Sequence, residues 1–506
     1  MFDPSAAIIS LIERFMTVTV PKSNEPRPIP TIPEFIYKTA ICFIGAWLAQ
    51  FILGGLFNSA NHPLVDFPGP KRAAFTEWYR TYLELFCGRS WVHVLEEWHQ
   101  KYGKIVRVGP NELSFSDPAA YHEIYNSSNF WDKEASVYQS FGQDHATFGF
   151  LKYADAKKRK DIMSPLLSRK AISDLQELVQ SNVDRLCEGL TNNNAAGRSS
   201  DLFFGLRCFA VDTTTSVCFA ISVDALDEPE FKAPIVEAME KAPAHLVLFK
   251  HFPWLQSIFI RMPRWLTVMV APQTSGIARV MDILRTQIKD AMANPYSLKD
   301  SSRHIVYHAL LSVEANEGAK SADEKSLLQE AQSLLLCGSD AVSNQIMLGT
   351  WHLLESPALV RRLNKELLKV WPVLDIVPSF AELEKLPLLT AVVKETLRIG
   401  PGGIPGVLPR VVPEKGATIN GSFIPQETIV GMSGYFVHHA ESIFKDPKTF
   451  DPDRWLGEDS ESLDKWLVSF SKGPRSCLGI NLAYCELYLV LAALFRRFDI
   501  ELDSAR

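Results

Sequence analysis

Apolar positions along the chain fall into runs of several kinds. From Thr39 to Phe57 the sequence reads TAICFIGAWLAQFILGGLF, nineteen residues without a charge and with Gln50 as the one strongly polar side chain. As a helix this stretch spans roughly 28 Å, close to the ~30 Å hydrocarbon thickness of a bilayer, which predicts a single transmembrane anchor at 39–57. It starts later and runs longer than the apolar part of a secretory signal peptide. Residues 1–38 then form an N-terminal extension. Residues 58–72, ending in NHPLVDFPGPKR, form a proline-rich hinge whose prolines and glycine bar the helix from continuing. Another run, HLVLFKHFPWLQSIFIRMPRWLTVMVA (245–271), is broken by Lys250, Arg261, Arg264 and two prolines. It fits a surface dipping into a membrane, a roof over a lipophilic pocket, or ordinary core.

Elsewhere helical spacing dominates. Leu327, Leu328, Ala331, Leu334 and Leu335 predict one long helix from Ser321 to about Glu355, opened by a capping box of Ser321 and Glu324 and stopped by Pro357. At about 52 Å and apolar nearly all round, it belongs in the interior. A further helix begins near Pro387 and ends at Gly400-Pro401. Two hairpins are expected, at 105–116 around Gly109-Pro110 and at 417–425 around Asn420-Gly421. The stretches 191–201 and 314–325 read as surface loops, and no repeat or linker divides residues 73–506. The expected fold class is mainly α with a small β region (α+β), a single body at 73–506 behind one N-terminal transmembrane helix.

Composition narrows the chemistry. With 47% hydrophobic and 22% charged residues the chain is a globular protein with ample core. The 52 basic and 58 acidic residues leave a net charge of −6, no field to attract a polyanion, so nucleic acid is not an expected partner. Eight cysteines without a C-x-x-C pair argue against a disulfide scaffold and against zinc. Two sequons, Asn126-Ser127-Ser128 and Asn420-Gly421-Ser422, stay bare if the body faces the cytosol.

The most informative string is Phe470-Ser-Lys-Gly473-Pro-Arg475-Ser-Cys477-Leu-Gly479, leading into an apolar helical run from Ile480 to Phe498. A cysteine just ahead of a helix N-terminus meets free N–H groups and a dipole that favour thiolate, the strong axial donor a haem iron takes. Gly473 and Gly479 would admit a flat macrocycle, and Arg475 a propionate. Taken alone, a cysteine in a loop is an ordinary core residue. The whole string, however, resembles the haem-binding signature F-x-x-G-x-R-x-C-x-G of the cytochrome P450 family at every specified position. Glu395 and Arg398 in KETLR resemble that family's E-x-x-R, and Phe450-Asp-Pro452-Asp-Arg454-Trp455 its F-x-P-x-R-[FW] element.

The resemblance extends over nearly the whole chain, and its wording is similar to that of fungal enzymes tailoring terpenoids and other lipophilic natural products. It implies a P450 fold with the long helix over haem b (iron protoporphyrin IX), Cys477 as the iron ligand, and Phe470, Gly479, Arg475, Arg410 and His438 around the cofactor. Glu395, Arg398 and Arg454 would form a structural cluster. Two departures stand out. Where the family has [AG]-G-x-[DE]-T-[TS], this chain has Cys337-Gly338-Ser339-Asp340-Ala341-Val342-Ser343. Gly338 would make the dioxygen groove and Asp340 pass protons, while Ser343, a water or the substrate's own hydroxyl replaces the missing threonine. Ala341 would otherwise simply widen the pocket, which Val342, Ile404 and Val407 also line. In the helix where the family has W-x-x-x-R or H-x-x-x-R, the chain has only the basic run Lys157, Lys158, Arg159 and Lys160, of which Arg159 is assigned to a propionate.

No G-x-G-x-x-G follows a strand, so electrons must come from outside, and the resemblance implies a membrane-bound NADPH-cytochrome P450 reductase. The expected activity is an O2-dependent monooxygenase on a lipophilic small molecule of secondary metabolism. The protein would be anchored by one pass in the endoplasmic reticulum with its catalytic body in the cytosol. An isomerase, dehydratase or oxidative cyclase on the same scaffold, or a non-enzymatic haem or lipid carrier, are the alternatives.

Overall fold

Apolar side chains on every face need either a protein interior or lipid around them, and two helices of this chain divide along that line. The computed structural model describes residues 34–270, 275–293, 305–311, 322–400, 406–458 and 460–502. Residues 1–33 of the expected extension, Ser321 and Ile404 lie outside the described residues. The chain separates into two compact units, residues 1–113 and 114–506.

In the first unit, helix α1 (Glu34–Ala60) contains a stretch, Phe43–Ala60, long and apolar enough to cross a membrane. Phe43, Ile44, Trp47, Leu48, Ile52, Leu53, Leu56 and Phe57 all stand exposed on it. It runs three residues past the expected 57, with Ser59 Oγ donating to Gly55 O (2.8 Å) in its last turn, and ends three residues before Pro63. Gly55 lies flat against Phe75 of α2 (Lys71–Phe75), where a β-carbon would come within 2.2 Å of the ring. After α3 (Trp91–Tyr102) comes β1 (Ile105–Gly109), whose Arg107 N–H donates to Pro68 O (2.8 Å) and so ties down the proline-rich segment. β2 (Glu112–Phe115) completes the expected hairpin.

The second unit opens with α4 (Pro118–Ile124), capped by Asp117, and the short strand β3 (Asp132–Lys133). Helices α5 (Tyr153–Met163), α6 (Gln176–Ala195) and α7 (Leu202–Phe219) follow. α7 is as apolar as the anchor, yet 78% of it is buried, which makes it a core helix. α8 (Pro234–His251), α9 (Pro253–Arg261), α10 (Arg264–Val270) and α11 (Ser275–Ala293) come next. The run expected at 245–271 surfaces on α9 and α10: Trp254, Ile258, Ile260, Trp265, Met269 and Val270 are each more than half exposed. That part of the run is therefore not core.

The long helix α12 (Glu324–Leu354) is capped by Asp323, whose carboxylate accepts from Ser326 N (2.7 Å), rather than by Ser321. An aspartate beside the first turn is as good an acceptor as serine. α12 packs on α7 more extensively than any other described pair of elements. α13 (Pro357–Val370) and α14 (Pro387–Ile399) follow, the Glu366 carboxylate of α13 capping Leu388 and Leu389 N–H at 2.9 Å each. Strands β4 (Arg410–Val411), β5 (Ala417–Ile419), β6 (Ser422–Ile424) and β7 (Ile429–Gly431) lie before the final helix α15 (Ile480–Arg497). β4 pairs antiparallel with both β3 and β7, setting Lys133 directly opposite Arg410. β5 and β6 form the expected hairpin, with Asn420 (φ 50°) and Gly421 (φ 74°) in its turn. One apolar core joins α6, α7, α12, α14 and α15.

Candidate functional site

The loop from Phe470 to Gly479 is closed by its own backbone, Cys477 N–H donating to Phe470 O (2.9 Å). Phe470 itself packs on Tyr484 of α15, with ring centroids 5.2 Å apart. Gly473 has φ 72°, and a β-carbon there would sit 2.6 Å from Tyr125 O. Its smallness serves the passage of this loop over the end of α4, a correction to its expected contact with a macrocycle. Gly479 caps α15, its β-carbon direction opens on empty space, and its N–H donates to the Cys477 sulfur. Burial raises the Cys477 thiol above its usual pKa, against the opposing effects of that N–H and of the Lys160 charge. Yet Cys477 keeps accessible surface. A thiol walled by protein and still accessible lines an internal chamber.

Four cations converge on the same region. Lys133 and Arg410 face each other across β3 and β4, and like charges at directly opposite positions repel. Lys133 Nζ donates to Phe148 O (2.6 Å) and Arg410 Nη1 to Tyr138 Oη (2.6 Å). Arg475 donates to Phe150 O (2.9 Å) and Leu151 O (2.8 Å), leaving Nε buried without a partner. Lys160 Nζ reaches Ser476 O (2.7 Å) and Pro474 O (3.1 Å). Burial, then the charges of Arg410 and Arg475, hold Lys133 well below the usual lysine range, and burial, then Arg410, brings Arg475 down to about 10. Among the described residues none of Lys133, Arg410 and Arg475 is in an ion pair. The Asp132 charge acts on Arg475 from beyond ion-pair distance, and buried cations crowded together without an ion-pair partner make a site for an anionic group.

Arg159 is not part of this cluster. It turns to α12, bonding Glu330 (3.3 Å) and Ser326 Oγ (2.9 Å), while Lys160, one residue and 100° further round α5, faces the cysteine loop. His438 is also elsewhere. Its Nε2 accepts from Val468 N–H (2.9 Å) and its carbonyl from Arg398 Nη1 (2.8 Å), and burial, then the Arg398 charge, pushes the imidazole down to about 3, so it is neutral. It buttresses the cluster around Glu395 instead of meeting a propionate.

In that cluster Arg398 donates twice to the Glu395 carboxylate (2.8 and 2.9 Å), and Arg454 Nε, Trp455 Nε1 and Asp451 N add three bonds at 2.9 to 3.1 Å. Arg398 also binds the carbonyls of Pro447 (2.7 Å) and Thr449 (3.1 Å). Burial alone would raise the Glu395 pKa, but the Arg398 hydrogen bonds and charge outweigh it and lower the value. The i, i+3 pair on α14 thereby clamps the segment 438–455 to the core.

On α12 Asp340 Oδ1 accepts from Arg207 Nε (3.0 Å) and Nη2 (2.5 Å) of α7, with Asn344 bridging both. Gly338 faces Thr214, 2.5 Å from where its β-carbon would be, so it serves α7–α12 packing and not a dioxygen groove. Ser343 is buried and its hydroxyl is engaged by Ser339 O (2.7 Å) and Asp340 O (3.1 Å), away from any relay. Val342 lies in the main core, not on a pocket wall, turned about 100° round α12 from Ala341 and about 140° from Cys337. Val407 is buried against Gly431 of β7. Lys133, Arg207 and the specific role of Lys160 carry no sequence signal, since each depends on which strand or helix face lies opposite.

Residues 77–506 match the family model described as Cytochrome P450. The chain belongs to the cytochrome P450 family. It is 33% identical over 498 residues to the cytochrome P450 monooxygenase flvC of Aspergillus flavus, covering 91% of this chain and 90% of that protein. It is 33% identical over 447 residues to tryptophan 6-hydroxylase fscE of Fusarium equiseti, and 32% over 447 residues to the cytochrome P450 monooxygenase macH of Penicillium terrestre, each covering 87% of both chains. This P450 is therefore an oxygen-incorporating oxidoreductase with a haem cofactor, a redox partner, O2 and a small-molecule substrate. Its residues fit haem: an accessible interior cysteine, open space beside Gly479, and unpaired buried cations suited to two carboxylates.

Proposed function

We propose that Cys477 would hold haem b through its iron and that Lys133, Arg410, Arg475 and Lys160 would neutralise its propionates. The observation that carries this is the set of buried, unpaired cations around the chamber onto which Cys477 opens. Haem held there would supply dioxygen activation, and the Cys477 thiolate would make its iron electron-rich. The chain's residues do the rest. Gly479 N–H and the Lys160 charge favour the thiolate of Cys477 against the burial that raises its pKa, without cancelling that burial. Asp340, held by Arg207 and Asn344, is oriented to hand protons inward from the protein surface. Ala341 shapes the space above the cofactor, and Phe470 fixes the loop by packing on Tyr484.

The substrate is a lipophilic natural product such as a terpenoid, polyketide or alkaloid, hydroxylated or otherwise oxidised. α1 anchors the protein in the endoplasmic reticulum with the body in the cytosol, and the exposed apolar face of α9 and α10 is a surface suited to lipid contact. NADPH-cytochrome P450 reductase is the donor. Incubation of the reductase-reconstituted enzyme under 18O2 with extracts of the producing metabolome tests this, since a product heavier by one 18O atom is expected. A second reading, isomerisation or dehydration, is favoured by the absent hydroxyl at Ala341 and the engaged one at Ser343. A product formed without O2 and reductant would establish it.

A further inference from the structure

Cys337 and Ala341 stand one turn apart on the same face of α12. Ala341 has no hydroxyl, and the hydroxyl of Ser343 is held by Ser339 O and Asp340 O inside the core. Neither offers a donor to the chamber. Cys337 does: its thiol is hydrogen-bonded with Ser333, enclosed by protein and yet accessible, and in electrostatic contact with Cys477, the other cysteine of which the same is true. The remaining accessible cysteine among the described residues, Cys87, belongs to the other unit. Two interior thiols, one on α12 and one on the loop before α15, thus open on one chamber from different elements.

We propose that the Cys337 S–H is a positioning group for the dioxygen site, the hydrogen-bond donor on the α12 face that Ala341 and Ser343 do not supply. The inference rests on the proposed ligation of haem by Cys477. The thiol would act as a hydrogen-bond donor that orients a small ligand in the chamber, and the proton path would remain with Asp340. An ordinary thiol is already S–H at neutral pH, which is all the role requires. As a weak donor, sulfur orients without holding tightly.

The test uses the full-length holoenzyme with carbon monoxide as the probe, comparing wild type, Cys337→Ala and Cys337→Ser by the infrared C–O stretch and by product formed per NADPH consumed. Loss of a donor at the distal oxygen raises the stretch in the Ala variant, while the stronger hydroxyl donor lowers it in the Ser variant. Product per NADPH falls about fivefold in Ala, the scale of one hydrogen bond, and is recovered in Ser. An unchanged stretch in both variants, with the thiolate-type spectrum intact, overturns the proposal. If Cys337→Ala takes up no haem, the Ser variant decides alone: a lowered stretch supports the proposal and an unmoved one overturns it. A wild type without a thiolate-type spectrum overturns the ligation by Cys477 instead.

Discussion

Lys133→Met is expected to strengthen the haem-free protein and weaken its grip on haem. Lys133 Nζ lies 4.0 Å from the Tyr138 ring centroid and the Arg410 guanidinium 5.7 Å from the same point, so the two charges are no more than about 10 Å apart. At an effective dielectric of about 20, that separation costs about 1.7 kcal/mol, and a closer approach costs more. Arg475 adds to the repulsion and burial adds desolvation. Methionine keeps much of the side-chain volume but forfeits the bond to Phe148 O, about 1 kcal/mol, and the cation–π contacts with Tyr138 and Phe148, about 0.5 to 1 kcal/mol each, losses outweighed by relief of the desolvation of a buried ammonium, of several kcal/mol. The net expectation for the haem-free chain is stabilisation by about 1 to 2 kcal/mol, read as a rise in its urea midpoint. With haem the sign reverses, because a charge-assisted bond to a propionate is worth about 1.5 to 3 kcal/mol, and haem should bind at least about tenfold more weakly. The pH dependence gives an independent handle. A lysine whose folded pKa lies below its usual 10.5 leaves the unfolded chain binding more protons between the two values, so stability rises with pH there. The advantage of Lys133→Met over wild type should therefore shrink as pH climbs toward 10.5. A destabilised haem-free variant with unchanged haem affinity would refute the assignment of this cation to an anion site.

Further predictions concern the frame. Glu395→Gln turns an acceptor of five hydrogen bonds into an amide facing donors and leaves Arg398 without a counter-charge, a loss of about 3 to 5 kcal/mol visible as haem release at lower urea; an unchanged midpoint would contradict the cluster's structural role. Gly473→Ala forces a left-handed alanine against Tyr125 O, costing upward of about 1 kcal/mol and lowering haem content, whereas Gly457→Ala, with open space around it, should be mild. Glu486 of α15 is buried with Oε1 unpartnered, and burial raises its pKa well above 4.5. Its folded form is the protonated one, so its contribution is retained at low pH and lost as pH rises past the unfolded value; Glu486→Gln should gain on wild type from pH 5 to pH 8, and a pH-independent difference would count against this.

The parts of the site written in a contiguous string were legible in the sequence. The loop around Cys477 closes on itself, and Glu395 and Arg398 share one helix face by simple periodicity, with Trp455 and Arg454 arriving from a second short motif. The hairpins at 105–115 and 417–424 followed from their turn residues. What was not legible depends on a partner far away in the chain. Lys133 becomes a site residue only because β3 pairs with β4, and the choice of Lys160 over Arg159 is a 100° rotation that a run of four cations cannot reveal. His438, Gly338 and Ser343 matched expected positions, yet Val468, Thr214 and Ser339 occupy their polar atoms or their space. Asp323 caps α12, an acceptor two residues beyond the serine that the sequence pattern singled out.

The ligation of haem by Cys477 is tested most directly by the carbon monoxide difference spectrum of the reduced protein in membranes, wild type beside Cys477→Ser. The account predicts a red-shifted, thiolate-type band in the wild type that disappears in the serine variant. A folded, haem-loaded wild type without that band, or a serine variant that keeps it, would contradict it.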